Sequence, residues 1–289
     1  MTTMQVEKTE LADRKKISVI TVVFNDVTNI EKTMLTVLDQ TYKNIEYIVI
    51  DGGSTDGTVG VIKKYSERLA YWVSEKDSGI ADAMNKGVAK ATGEYTNFIN
   101  SGDYFLSNTV FEQIFSKPHT ADLVYGGFIS NFGGIKVKCL PHEDIVTKCY
   151  QAMQLVHSTL FVKTEYLKKF GFNTKYRVSA DNEFVVRCVS CGCSSERVDT
   201  LIFEVGTTGN SAVHWLKAKM ENWDIARKYY PGLKTDWYHG SHIVREASFR
   251  FFKQLFSYVG FYQLLRWIYR KTIKKRLPLL PPDTIPFEK

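Results

Sequence analysis

Short apolar runs of strand length alternate with apolar positions at helical spacing through the first hundred residues. Ile17 to Phe24, ISVITVVF, is apolar nearly throughout, as in a strand covered on both faces. Asn25 follows, then Thr28 and Glu31 in a T-x-x-E capping-box pattern, with Ile30, Met34, Val37 and Leu38 at helix spacing. Ile45 to Ile50 is a second buried-strand pattern, ending in Asp51 and the permissive pair Gly52-Gly53. Ser54, Thr55 and Asp56 are cap-type residues before a helical pattern at Val59, Ile62, Tyr65 and Leu69. Tyr71 to Val73 and Glu94 to Asn100 read as further strands; between them Ile80, Ala83, Met84, Gly87, Val88 and Ala91 form one helix face. The first β–α–β unit predicts parallel, right-handed pairing in an α/β sheet.

The second half carries a helix over 163–170, a helical pattern at Phe184, Val185, Cys188 and Val189, and a long helix from Ser211 to Tyr230, closed by Pro231-Gly232. Gly206 to Ser211 reads as a loop, either a closing flap or a plain connector. Composition then shifts. Residues 241–276 hold nine Lys or Arg against one acid, interleaved with aromatic and aliphatic residues. Lys253, Gln254, Gln263 and Arg266 interrupt any membrane-spanning run, so the stretch predicts an interfacial helix on anionic lipid. The competing structural explanation is a helix packed on the preceding domain with a basic solvated face. Basic-aromatic composition also suits RNA, but no RNA-binding motif is present and no nucleic-acid partner is expected. The Pro-rich end, 277–289, predicts extended chain.

Length and charge narrow the class. The 289 residues, 44% hydrophobic and 24% charged, suit one large domain with an appendage; the net charge of +7 permits anionic partners. Residues 1–16 lack an apolar stretch and read as a flexible leader rather than a signal peptide. Five cysteines, an odd number without such a signal, predict free thiols in a reducing cytosol; Cys188, Cys191 and Cys193 lack a fourth zinc ligand.

The chemistry-bearing residues cluster at strand ends, where α/β sheets bind ligands. Asp51 there accepts either from a nucleobase or ribose, or only from its own turn; the stretch alone leaves both. Asp77-Ser78-Gly79 is a turn, and Asn85 and Lys86 lie off the apolar face of the following helix, facing either solvent or a ligand. Ile99 to Asp103, INSGD, ends a strand with a carboxylate that suits Mg²⁺ or Mn²⁺ on a diphosphate, or is an ordinary turn. His157 opens HSTLFV, and Asp181, in SADNEF, precedes a helical pattern as either a base or an N-cap.

The ordered set ISVITVVFN, IVIDGGSTDGT, EKDSGIADAMNKG, FINSGD, HSTLFV and SADNEF, across residues 17 to 190, resembles the family 2 glycosyltransferases of GT-A fold, especially bacterial members that build O-antigen, capsule or exopolysaccharide. The resemblance implies an α/β GT-A domain with a mostly parallel central sheet over 17–230, a nucleotide-sugar half at 17–105 and an acceptor half at 106–230, followed by a helical appendage at 231–289. It implies nucleotide-sugar contacts at Thr21, Asn25, Asp51, Ser54, Asp77, Asn85, Lys86, Asn100 and Ser101. It further implies Mn²⁺ or Mg²⁺ at Asp103, a catalytic base at Asp181, and acceptor or diphosphate contacts at His157 and Glu183, the second-choice base. Asn100-Ser101-Gly102 occupies the family's D-x-D, so two expected carboxylates are Asn and Gly. The expected activity is inverting transfer from a nucleotide sugar, UDP-linked, to a lipid-diphosphate-linked glycan, by a peripheral enzyme on the cytoplasmic face of the membrane. The thinned motif keeps open a non-catalytic nucleotide-sugar-binding subunit. A dinucleotide oxidoreductase ranks below both, because no G-x-G-x-x-G follows the first strand.

Overall fold

The computed structural model describes residues 15–132, 135–143, 145, 148, 149, 151, 155–205 and 214–257. The leader up to residue 14, the loop at 206–211 and the tail beyond 257 lie outside the described residues.

The nucleotide half follows the hydrophobic pattern. Strands β1 (Ile17–Val23), β2 (Ile45–Asp51), β3 (Tyr71–Ser74) and β4 (Tyr95–Phe98) alternate with helices α1 (Ile30–Leu38), α2 (Thr58–Lys64) and α3 (Ile80–Lys90). They pair in parallel in the order β3-β2-β1-β4. Alternate residues feed two cores: Ile20, Val22, Ile48 and Ile50 face Met84 and Val88 of α3, while Val19, Val23, Tyr47 and Val49 face Ile30 and Met34 of α1. All seven residues of β1 are buried, as their unbroken apolar run requires.

The sheet continues through the second half, where the parallel pattern ends. It contains β5 (Tyr104–Phe105), helix α4 (Val110–Phe115), β6 (Leu123–Phe132), β7 (Ile135–Cys139), β8 (Leu160–Lys163), α5 (Thr164–Phe170), α6 (Ala180–Ser190) and β9 (Ser195–Val205). The order runs on from β4 through β8, β6 and β9 to β5, with β7 paired to β6. β8 runs antiparallel to both β4 and β6, and only β6–β9 is parallel. The expected mostly parallel sheet is therefore parallel in the nucleotide half and mixed beyond it. β8 begins directly from a 3₁₀ turn at His157–Thr159 and brings that turn against the end of β4.

Two further helices are described: α7 (Trp215–Tyr229), whose expected start at Ser211 lies outside the described residues, and α8 (Leu233–Ser257). Ile225 and Ala226 of α7 are buried, and α8 packs back on α7 through Thr235 and His239.

One local prediction fails. Thr28 and Glu31 form no capping box: Asn29 holds the N-cap position of α1, the Thr28 hydroxyl donates to Asp26, and Glu31 pairs with Lys64 at 2.6 Å. Competing polar partners within reach captured both side chains.

Candidate active site

The ends of β1, β2 and β4 form one rim. Asp51, fully buried, closes β2. Its Oδ2 accepts from the amides of Gly53 (3.1 Å) and Ser54 (2.9 Å) and from the Ser74 hydroxyl (2.6 Å); its Oδ1 accepts from the Ser54 hydroxyl. These four donors shape the glycine turn. Gly52 must lack a side chain, because a Cβ there would stand 2.5 Å from the Asp77 carboxylate. Asp77 in turn accepts from the Gly79 amide at 2.8 Å, fixing the entry to α3. Asn25 follows β1 with φ +49°, a conformation Asn tolerates better than most residues. Its amide donates to the Ser54 hydroxyl and its Oδ1 accepts from Thr55, binding the two strand ends together.

Beyond β4, Ser101 donates to Asp26 at 2.7 Å, and the Ser158 hydroxyl donates to Asp103 at 2.9 Å. His157 stands between the halves. Its Nε2 is 2.9 Å from Asn100 Nδ2 and 3.5 Å from Asp103 Oδ2; its Nδ1 is 3.4 Å from Asp181 Oδ2. Burial works against charge on this imidazole, but the carboxylates of Asp103 and Asp181 outweigh it and raise its pKa from 6.5 to about 10. His157 and Asp181 border a hollow whose other walls include Met84, Phe98, Phe172 and Phe184.

Asp181 sits in the first turn of α6, after the N-cap residue Ser179, where the helix dipole favours a carboxylate. It is therefore not the N-cap, the simpler structural role its sequence position allowed. The preceding segment is clamped from α7: Glu221 accepts from the amides of Arg177, Val178 and Ser179 at 2.9 to 3.0 Å, and Asn222 bonds Asn182 at 2.8 Å.

The structure thus groups Asn25, Asp51, Ser54 and Asp77 around one turn, and Asn100, Asp103, His157 and Asp181 in one chain of contacts. Other expected site residues are engaged elsewhere. Thr21 is buried inside the sheet, bonded to Tyr47 and the Ile99 carbonyl. Asn85 bonds both backbone groups of Phe172, fixing the loop before α6. Lys86 pairs with Glu75 at 2.8 Å and with the Lys76 carbonyl. Glu183 is fully buried, accepting from Tyr229 at 2.8 Å beside Arg187 at 3.1 Å; as a structural ion pair it is displaced from the role of second-choice base. Sequence reasoning missed Asp26 and Glu221. Asp26 carried a weak signal, as a second polar residue at the end of β1. Glu221 carried none, since its partners are backbone amides some forty residues away.

Among the described residues, no group of three or more His, Cys, Asp or Glu side chains is arranged to hold a metal ion. The available donors are nonetheless hard oxygens: the Asp103 carboxylate and the Asn100 side-chain amide oxygen. Such a set fits a Mg²⁺ or Mn²⁺ ion that draws its remaining ligands from a diphosphate.

A parallel strand-end rim facing a carboxylate at a helix start is the ligand-binding arrangement of an α/β fold. The sequence matches the profile of Glycosyl transferase family 2 over residues 18–180, and the chain belongs to that family. An uncharacterized glycosyltransferase of Mycobacterium tuberculosis is 32% identical over 200 residues, 67% of this chain and 76% of that protein. The cholesterol galactosyltransferase of Borreliella burgdorferi is 30% identical over 45% of this chain and 37% of its own length. Among solved structures, the mannosyltransferase PcManGT from Pyrobaculum calidifontis, in complex with GDP-Man and Mn²⁺, superposes with a TM-score of 0.59 at 16% identity, covering 92% of this chain and 89% of that one. S. aureus TarS 1-349 in complex with UDP-GlcNAc gives 0.56 at 16% identity, over 81% and 73%. These neighbours share the GT-A fold.

Proposed function

We propose that this family 2 glycosyltransferase works with inversion, moving a hexose or N-acetylhexosamine from a UDP-linked donor to a lipid-diphosphate-linked glycan of a surface polysaccharide, at the cytoplasmic face of the membrane. The observation that carries this reading is the single imidazole joining Asp103 to Asp181. It sets a diphosphate-side carboxylate and a base on either hand of one cleft.

In the proposed reaction the acceptor hydroxyl lies against Asp181. Its oxygen forms the new bond to the anomeric carbon while its proton passes to the Asp181 carboxylate. The bond from that carbon to the diphosphate breaks, and its electron pair stays with the leaving oxygen. Asp51 and the turn at 52–54 orient the nucleoside. The His157 cation faces the charge that grows on the diphosphate. Asp103 and Asn100 would hold Mg²⁺ or Mn²⁺, which when bound neutralises the same charge. The UDP-GlcNAc bound to TarS supports a UDP-linked donor, the Mn²⁺ bound with GDP-Man to PcManGT supports the metal, and a relative named for galactosylating cholesterol supports a lipid-borne acceptor.

A thermal-shift screen of nucleotide sugars with Mn²⁺ or Mg²⁺, followed by turnover assays of Asp181→Asn, tests the proposal. The expected result is stabilisation by one donor class, retained in the variant, with transfer reduced about 10²-fold or more. Near-normal turnover of the variant would remove Asp181 from the mechanism. Donor binding by the wild type without turnover on any acceptor, whatever the metal, would favour a non-catalytic subunit.

A further inference from the structure

Helix α8 has two unlike faces. The inner face accounts for its packing: Thr235 and His239 are buried, His239 stacks on Trp223, and Asp236 accepts from Trp223 at 2.7 Å and pairs with Arg227. The outer face carries Leu233, Trp237, Val244 and Phe251, which are 89%, 79%, 66% and 64% exposed. Their spacings of four, seven and seven residues hold them in one row, about 27 Å long at the α-helical rise. A row this long, with a nearly bare indole in it, is unusual on a solvated helix.

Charge selects its occupant. Within 233–251 the acids are Asp236 and Glu246, and both are paired, with Arg227 and Arg250; Arg250 itself lies over the Trp215 ring of α7. Lys234 and Arg245 flank the apolar row instead. A second copy laid face to face would oppose these cations with their own equivalents on a chain of net charge +7. The chain's own 258–276 would do the same, since it holds six Lys or Arg and no acid. An anionic bilayer meets both demands, taking the indole and aliphatic side chains at headgroup depth and the cations against lipid phosphate. Among the described residues no helix is long and apolar enough to cross a membrane.

We propose that the outer face of α8, centred on Trp237 and Val244, docks the protein on an anionic lipid surface. The contact is coupled to the site: α8 is tied to α7 by Asp236 and Trp223, and α7 grips the chain on both sides of Asp181, at Ser179 through Glu221 and at Asn182 through Asn222. Docking along this row would hold Asp181 at a fixed height above the bilayer. The inference extends the reading of a lipid-linked acceptor, but its test uses neither donor nor acceptor. Failure of the wild type to bind lipid, with its transfer to a soluble acceptor intact, would therefore overturn only the docking surface.

The experiment is vesicle co-sedimentation of the full chain on phosphatidylcholine with and without phosphatidylglycerol, comparing wild type with Trp237→Glu/Val244→Glu. Both positions are exposed, and far-UV circular dichroism verifies that the variant folds. The expected result is salt-sensitive binding of the wild type to anionic vesicles and at least about tenfold weaker partitioning of the variant. Brominated lipid should quench wild-type tryptophan fluorescence more than that of Trp237→Phe. Equal partitioning of wild type and variant, or no binding by the wild type, would overturn the proposal. So would a wild-type dimer in sedimentation velocity that the double variant abolishes, which would assign the face to a second copy.

Discussion

His157 Nδ1 lies 3.4 Å from Asp181 Oδ2, so the proposed base is paired with a cation before any substrate arrives. The same ring reaches Asp103, and the two carboxylates raise its pKa to about 10, which favours the cation and asks Asn100 to turn its amide oxygen to Nε2. Its charge serves two acids that would otherwise repel across the cleft. Replacing His157 with Phe removes that cation and keeps the bulk over the apolar hollow. Turnover should fall about 10²-fold or more, with donor affinity reduced as well, because the diphosphate loses a facing positive charge. Steady-state kinetics with isothermal titration of the donor checks both. Unchanged kcat and unchanged donor affinity would reduce His157 to packing.

Asp51 and Ser74 test the nucleoside side. The carboxylate takes four donors in this state, one of them the Ser74 hydroxyl at 2.6 Å across β2 and β3. Ser74→Ala removes one donor without disturbing the turn's amides, at a cost of about 1 kcal/mol. Asp51→Asn instead puts an NH2 donor where a carboxylate oxygen accepted, facing the amide or hydroxyl donors of the turn, and disturbs it. Donor binding should weaken slightly in the first variant and be lost in the second, as read by titration calorimetry. Equal donor affinity in both would exclude Asp51 from the nucleoside pocket.

The strand ends were legible because period-2 burial and glycine turns are local signals. β1, β2 and β4 lie close to where their apolar runs predict, and the carboxylates at or just beyond their ends follow. Side-chain direction was not legible. Thr21, Asn85 and Glu183 stand in the right segments but turn toward Tyr47, Phe172 and Arg187. Each satisfies a buried polar group that only the folded chain creates. The mixed second half of the sheet was hidden for a similar reason, since β6, β8 and β9 pair across long sequence separations that no local period encodes.

Glu221 is placed to position the proposed base without touching the reacting atoms. Its two oxygens accept from three consecutive amides just before Asp181. Glu221→Gln keeps the volume but replaces one acceptor with a donor facing amide hydrogens. The expected outcome is a fall of about tenfold in kcat with little change in donor KM, because only the placement of Asp181 suffers. Glu221→Asp should recover part of the loss. A change confined to thermal stability, with kcat intact, would make the clamp purely structural.

Glu46 gives a pH-dependent signature away from the site. It is 8% exposed and accepts from Ser18, Thr92 and Lys16 at 2.6 to 2.9 Å. Burial raises its pKa, but these bonds together outweigh burial and bring it down to about 2. A depressed folded-state pKa means stability that is fully present above the ordinary glutamate range near 4.5 and is lost as pH falls through about 2. Glu46→Gln should therefore melt below the wild type at neutral pH, with the gap constant down to that range and closing as the medium is acidified further. Paired thermal melts of wild type and variant across that acid window measure the gap directly. A gap independent of pH would show that the hydrogen bonds, and not the charge, carry the contribution of Glu46.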